Sequence, residues 1–219
     1  MDAPIVSGNV SLYNDTNGVS IFPTPTIGMV GLLEDASLAT SSGFKAEGDL
    51  IFLLGDITGS LGGSEYLSWI HGKTAGPPPP LDLEREKAVQ AFVRRAIRER
   101  LLASAHDVSD GGLAVAVAES CFTAAKPELG VELVLGKVGE GKAIAELLFG
   151  EGASRILLSA QPEKAATLQE LAAASGLPLH RLGAVGRERF QLGPWLDLPI
   201  ARLREVWDKG FDGIVRPKD

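Results

Sequence analysis

From Asp49 onward, short apolar runs of strand length alternate with longer stretches whose apolar residues recur at helical spacing. A chain patterned this way has few options. Its strands must pair, and its helices must bury their apolar stripes on the resulting sheet. The strand candidates are Asp49-Leu-Ile-Phe-Leu-Leu54, a short run near Ala103, Val131 to Leu135, Arg155 to Ser159 and Leu179 to Val185. Helices are expected from Ser64, over Leu113 to Phe122, Lys142 to Leu148 and Gln161 to Ala174, and in the amphipathic stretch Ile200 to Trp207. The best defined helix follows Asp82, an N-cap residue with Glu84 and Glu86 in the first turn, where the helix dipole favours anions. Its apolar stripe runs through Val89, Phe92, Val93, Ala96, Ile97 and Leu101, which leaves Arg94, Arg95, Arg98 and Arg100 to a solvated face. Gly76 and the four prolines after it cannot continue a helix and form a stiff, extended spacer. The expected class is α+β or α/β, a mixed sheet covered by helices.

The first 36 residues read differently. Pro4 to Tyr13 is rich in β-branched residues, Asn14-Asp-Thr-Asn-Gly18 is a turn, and Thr24 to Leu33 is a second strand candidate. A two-stranded hairpin is marginal in water and needs more strands or a helix to cover it. The hairpin is therefore expected to belong to a larger domain of which this chain carries only the end. Ser37 to Gly43 reads as a linker of small residues.

Composition narrows the class of function. With 45% apolar and 22% charged residues, the 219-residue chain has ample material for a core and is not of the disordered type. A formal net charge of −7 speaks against a nucleic-acid binder, which needs a basic footprint. No apolar run approaches the roughly 20 residues of a membrane helix, and no secretory leader opens the chain. A single cysteine, Cys121, cannot form an internal disulfide, which points to a reducing, cytoplasmic setting.

Three segments are candidates for chemistry. In Ser7-Gly8-Asn9-Val10-Ser11, a glycine permits close approach of a ligand, and the Asn carbonyl suits Mg²⁺. The same residues also read as a polar strand entering a turn. The loop His106-Asp107-Val-Ser-Asp110-Gly-Gly112 sets two carboxylates before a helix N-terminus, which suits a metal–phosphate group. It equally reads as a capped helix start with Asp110 as N-cap. Gly150-Glu-Gly-Ala-Ser-Arg155 could touch a phosphate, but it lacks the Gly-Lys-Ser/Thr ending of a Walker loop and reads more simply as a helix-to-strand connection.

Five motifs in order carry a resemblance. They are Pro4-Ile-Val-Ser-Gly-Asn-Val-Ser-Leu-Tyr-Asn14, Pro23-Thr-Pro-Thr-Ile-Gly-Met-Val-Gly31, Leu61-Gly-Gly-Ser-Glu-Tyr66, Ala105-His-Asp-Val-Ser-Asp-Gly-Gly-Leu113 and Leu148-Phe-Gly-Glu-Gly-Ala-Ser-Arg155. Together they resemble the large synthetase subunit of phosphoribosylformylglycinamidine synthase, within the aminoimidazole ribonucleotide synthetase superfamily. That subunit is similar to a tandem of two copies of the synthetase fold. The resemblance implies that residues 1–36 close the second ATP-binding N-terminal-type domain, and that 37–219 form the second C-terminal domain.

The same resemblance implies an ATP-dependent carbon–nitrogen ligase that uses ATP and Mg²⁺. It would convert formylglycinamide ribonucleotide and ammonia to formylglycinamidine ribonucleotide. The ammonia would come from a glutaminase subunit, helped by a small third subunit. By motif match Gly8 contacts ATP, Asn9 binds Mg²⁺ and Ser11 contacts substrate. The family's catalytic histidine and acidic metal ligands lie in the remainder of the synthetase chain and have no counterpart here, so the 219 residues alone are expected to be inactive. Internal symmetry of the tandem adds a possible auxiliary nucleotide or metal site at Asp107, with Asp110 beside it. Two alternatives stay open. One is a non-catalytic half that braces the enzyme and docks partners. The other is a different member of the superfamily, such as a selenophosphate synthetase or a thiamine-phosphate kinase.

Overall fold

The run Leu50–Leu54, with no polar residue in it, lies inside a seven-stranded sheet, and its alternating side chains supply both faces with core. Ile51 and Leu53 point to one side, Phe52 and Leu54 to the other, and all four are fully buried. Burying each such side chain stabilises the fold by about 1.5–3 kcal/mol. The computed structural model describes residues 3–10, 14–22, 24–124, 129–135 and 139–215, with side chains as far as Phe211.

In chain order the strands are β1 (Asp15–Thr16), β2 (Val19–Ser20), β3 (Leu50–Leu54), β4 (Ser104–Asp107), β5 (Gly130–Leu133), β6 (Ile156–Ala160), β7 (Leu179–Gly186), β8 (Arg189–Leu192) and β9 (Leu196–Pro199). The helices are α1 (Glu65–His71), α2 (Leu83–Arg98), α3 (Gly112–Phe122), α4 (Ile144–Phe149), α5 (Ala165–Ala174) and α6 (Ile200–Val215). The large sheet has the order β4-β6-β3-β7-β5-β8-β9, antiparallel throughout except for the parallel pair β5–β8. It is therefore mixed and covered by helices, the expected class, although strand–helix alternation alone would favour parallel pairs.

Each face is covered. On one, Val89, Phe92 and Ala96 of α2 and Leu168, Leu171 and Ala172 of α5 pack on Phe52, Leu54 and Leu158. On the other, α3 and α4 pack on Ile51, Leu53, Leu133 and Leu157, and Ile200 of α6 joins the same core. Asp82 caps α2 as expected, its Oδ1 accepting from the amides of Glu84 at 3.0 Å and Arg85 at 3.1 Å. The four arginines assigned to the solvated face of this region are exposed.

Four expectations need correction. Residues 4–10 and 24–33 form no strand among the described residues. The hairpin shrinks to the two-residue arms β1 and β2 around Asn17 and Gly18, both at positive φ. With no further strand or helix against them, the flanking segments have nothing to pair with. The stretch 37–43 is not a plain linker: residues Ala36–Leu38 form a 3-10 turn capped by Asp35, and Gly43 and Phe44 are buried. Asp110 does not cap α3, whose N-cap is Gly111 with no side-chain cap bond. Strands β8 and β9 were not foreseen, because Arg189-Phe-Gln-Leu192 and Leu196-Asp-Leu-Pro199 carry only two and three apolar residues.

Candidate functional site

Asp107, Leu54 and Ile156 stand in register at one end of the sheet, where β4, β6 and β3 lie side by side. Beyond that end the second and third candidate segments meet. Val108 donates its amide to Arg155 O at 3.0 Å, and together with the polyproline spacer and the start of α2 they line an open cleft of about 540 Å³. Its walls include Pro79, Leu83, Glu86, Asp107, Asp110 and Glu151. Nothing in the sequence order brings these residues together; the antiparallel register of three strands does.

Close backbone packing shapes the cleft. Glu151 and Ser60 exchange two backbone hydrogen bonds of 2.8 and 2.9 Å, which draws the Gly59–Gly63 loop against the Gly150 turn. A Cβ on Gly59 would lie 2.3 Å from Gly150 C, and one on Gly112 would lie 2.7 Å from Gly150 O. Only glycine permits this junction, and Gly112 also has φ +72.

The charged groups of the cleft are largely engaged by the protein itself. Asp107 Oδ1 faces His106 Nδ1 at 3.1 Å, and Oδ2 accepts from the Ser109 hydroxyl at 2.5 Å. The Ser109 bond holds the Asp107 carboxyl below its ordinary range, partial burial opposes this, and the His106 bond assists it. His106 Nε2 reaches Glu119 Oε2 of α3 at 3.0 Å. Glu151 Oε1 accepts from the amides of Gly111 at 2.8 Å and Glu65 at 2.9 Å, so one carboxylate serves the starts of both α3 and α1. An anion at the α3 N-terminus would have to displace it. Glu86 Oε2 accepts from Ser154 Oγ at 2.6 Å, and Ser154 is held at φ +60, an uncommon conformation for a residue with a side chain.

Arg155 is 3% exposed, yet among the described residues it meets no carboxylate directly. Its guanidinium donates to the carbonyls of Asp56 at 2.9 Å, Gly150 at 2.7 Å and Ile57 at 3.3 Å. Burial lowers its pKa to about 10, and the nearby Asp56 carboxylate opposes the shift. Arg155 thus ties the end of β3 to the Gly150 turn. Its three carbonyl bonds make it a structural clamp rather than a phosphate ligand. Ser154 and Arg155 lie in the third candidate segment, whereas Glu86 and Pro79 were missed by sequence reasoning as parts of this cleft.

The first candidate segment lies apart from this cleft. Gly8 and Asn9 are exposed and belong to no helix or strand, and no atom stands within 4 Å of where a Gly8 Cβ would be. That leaves the backbone open to close approach, and the Asn9 amide can offer one neutral oxygen. Ser11 lies outside the described residues. Among the described residues no group of three His, Cys, Asp or Glu side chains is placed to hold a metal ion. No helix among them is long and apolar enough to cross a membrane.

A mixed, mostly antiparallel sheet between helical layers, with a Gly-rich cleft at one end of β4, β6 and β3, defines an α+β domain. The chain belongs to the family described as AIR synthase related protein, C-terminal domain, whose model matches residues 46–192. It is 51% identical over 221 residues to phosphoribosylformylglycinamidine synthase subunit PurL of Anaeromyxobacter sp. (strain Fw109-5). That match covers 99% of this chain but 29% of the relative, so the chain spans less than a third of the relative's length. Among solved structures, T. maritima PurL complexed with FGAR matches 77% of this chain and 30% of its own, with a TM-score of 0.65 at 22% identity. T. maritima PurL complexed with ATP matches the same share of this chain with a TM-score of 0.58 at 20% identity. These structures share the fold.

Proposed function

We propose that the chain is the C-terminal part of an ATP-dependent synthetase that makes formylglycinamidine ribonucleotide in purine biosynthesis. The observation that carries this reading is 51% identity to a PurL subunit along 99% of the chain. In the whole protein the substrate amide oxygen attacks the γ-phosphate of ATP, and ammonia then displaces the phosphate from the activated carbon. Bound Mg²⁺ neutralises charge on the transferring phosphoryl group. Gly8 approaches ATP, Asn9 offers one neutral oxygen to the metal and Ser11 contacts the substrate, while the carboxylate ligands come from the rest of the synthetase. A glutaminase subunit supplies the ammonia and a small third subunit assists, in the cytoplasm. Residues 1–36 belong to the ATP-binding domain and 37–219 form the C-terminal domain.

In the full-length protein, Asn9→Ala is expected to lower kcat/KM on the order of 10²-fold, as loss of one oriented polar group does elsewhere. Its melting temperature should not change, because the side chain is exposed. Unaltered kinetics at saturating Mg²⁺ would remove Asn9 from the site. The 219 residues alone should make no product, and turnover within tenfold of the full-length enzyme would place the catalytic groups inside this chain.

We place a second, structural nucleotide site at Asp107 and Asp110, which line the cleft before α3; its ligand would displace Glu151 from the Gly111 amide. A ligand that binds only the folded state stabilises it by about 2.7 kcal/mol at a hundredfold excess over Kd. Asp107→Asn should therefore abolish the rise in melting temperature given by Mg·ADP while leaving the ATP dependence of catalysis unchanged. A full rise in the variant means that the loop serves only to start α3, and the chain then braces the enzyme at this end.

A further inference from the structure

The opposite end of the same three strands carries a second hollow, of about 260 Å³, which the proposed synthetase function does not use. It lies between the turn Ala46–Asp49, the α2–β4 connection at Leu101 and Leu102, and the residues 161–164 that follow β6. Asp49 lines it and is 3% exposed. One of its oxygens, Oδ2, accepts from the Ala46 amide at 3.2 Å, while no donor among the described residues reaches Oδ1. Every fully enclosed side-chain polar atom among the described residues has a partner, so Oδ1 opens onto the hollow that Asp49 lines.

Two lysines, Lys45 and Lys164, line the same space. Lys45 Nζ donates to Ser41 Oγ and to Gly43 O at 2.7 Å, and Lys164 Nζ donates to Arg100 O at 2.8 Å. An ammonium has three donors, so Lys45 keeps one in reserve and Lys164 two. Gln161 adds an amide, and Leu101 and Leu102 an apolar wall. Burial raises the Asp49 pKa, with Glu163 adding to the rise and Lys164 opposing it, and desolvation lowers that of Lys45.

A simple anion entering here would meet the Asp49 carboxylate, and a simple cation would meet two ammoniums. A molecule carrying both charges a few ångströms apart satisfies all three. The volume is below the roughly 300–1,000 Å³ of drug-sized pockets, which leaves room for a small metabolite only. We infer that this hollow binds a free α-amino acid, its ammonium on Asp49 Oδ1 and its carboxylate between Lys45 and Lys164.

Isothermal titration of the full-length protein tests this, with L-alanine as the probe beside acetate and methylammonium at matched ionic strength. Saturable binding of alanine alone is expected. Asp49→Asn and Lys164→Met should each weaken it at least about tenfold, the usual consequence of losing one charge-assisted contact. Asp49→Asn keeps an acceptor for the Ala46 amide, and Lys164 is only half-buried, so both variants retain the means to fold. Three results overturn the inference: no saturable heat with alanine, equal binding of acetate or methylammonium, or undiminished affinity in both variants.

Discussion

Gly112 carries two constraints at one Cα. Its φ of +72 lies in the left-handed region, and a side chain there would press on the Gly150 carbonyl at 2.7 Å. Gly63 shares the conformation, at φ +66, but has open space around it. Left-handed backbone costs a residue with a side chain about 1–3 kcal/mol, and backbone overlap adds to that. Gly112→Ala should therefore lower Tm by clearly more than Gly63→Ala, and circular-dichroism melts of the two variants measure the contact by difference. Equal melts would mean that the junction of the three loops relaxes freely. The sequence shows Gly111-Gly112 as a turn signal, but the reason for glycine at 112 is a neighbour 38 positions away. The same holds for Glu151: its charge is visible in the sequence, while its two amide partners are set by packing.

Helices α2 and α3 start in different ways, and the difference is measurable. Asp82 caps α2 with its own carboxylate, so Asp82→Ala should cost about 1 kcal/mol. Asp110 stands one residue before the Gly111 N-cap and makes no cap bond, because Glu151 reaches in from another loop to take the Gly111 amide. Asp110→Ala should therefore leave the denaturation midpoint within a few tenths of a kcal/mol of the parent. A loss as large as that of Asp82→Ala would restore Asp110 as the cap. Both starts carry an Asp at the boundary in the sequence. Local chemistry suffices to read the first, whereas the second depends on a partner 40 residues away.

At the scale of the whole molecule, the described residues before Asp35 lie outside the packed core: Ile5, Val6, Ile27, Val30 and Leu32 are all more than four-fifths exposed. The packed part begins at Asp35 and Ser37, which Arg100 holds from the end of α2 by an ion pair of 3.6 Å and a hydrogen bond of 2.8 Å. Removing residues 1–34 should leave the Tm of the remaining domain unchanged within about 2 °C and reduce self-association, since large exposed apolar patches promote it. A large fall in Tm would show that the segment packs on the domain in solution. What the sequence determined by itself is the set of local elements: the apolar run of β3, the stripe and cap of α2, the Asn-Gly turn and the stiff proline spacer. Each follows from neighbours within a few residues, where periodicity, caps and backbone preferences act. The tertiary structure alone decided the strand order, the strands β8 and β9, and the meeting of Asp107, Glu86 and Glu151 around one cleft. Those features depend on hydrogen-bond register and side-chain packing between residues far apart in the chain, which no local pattern encodes.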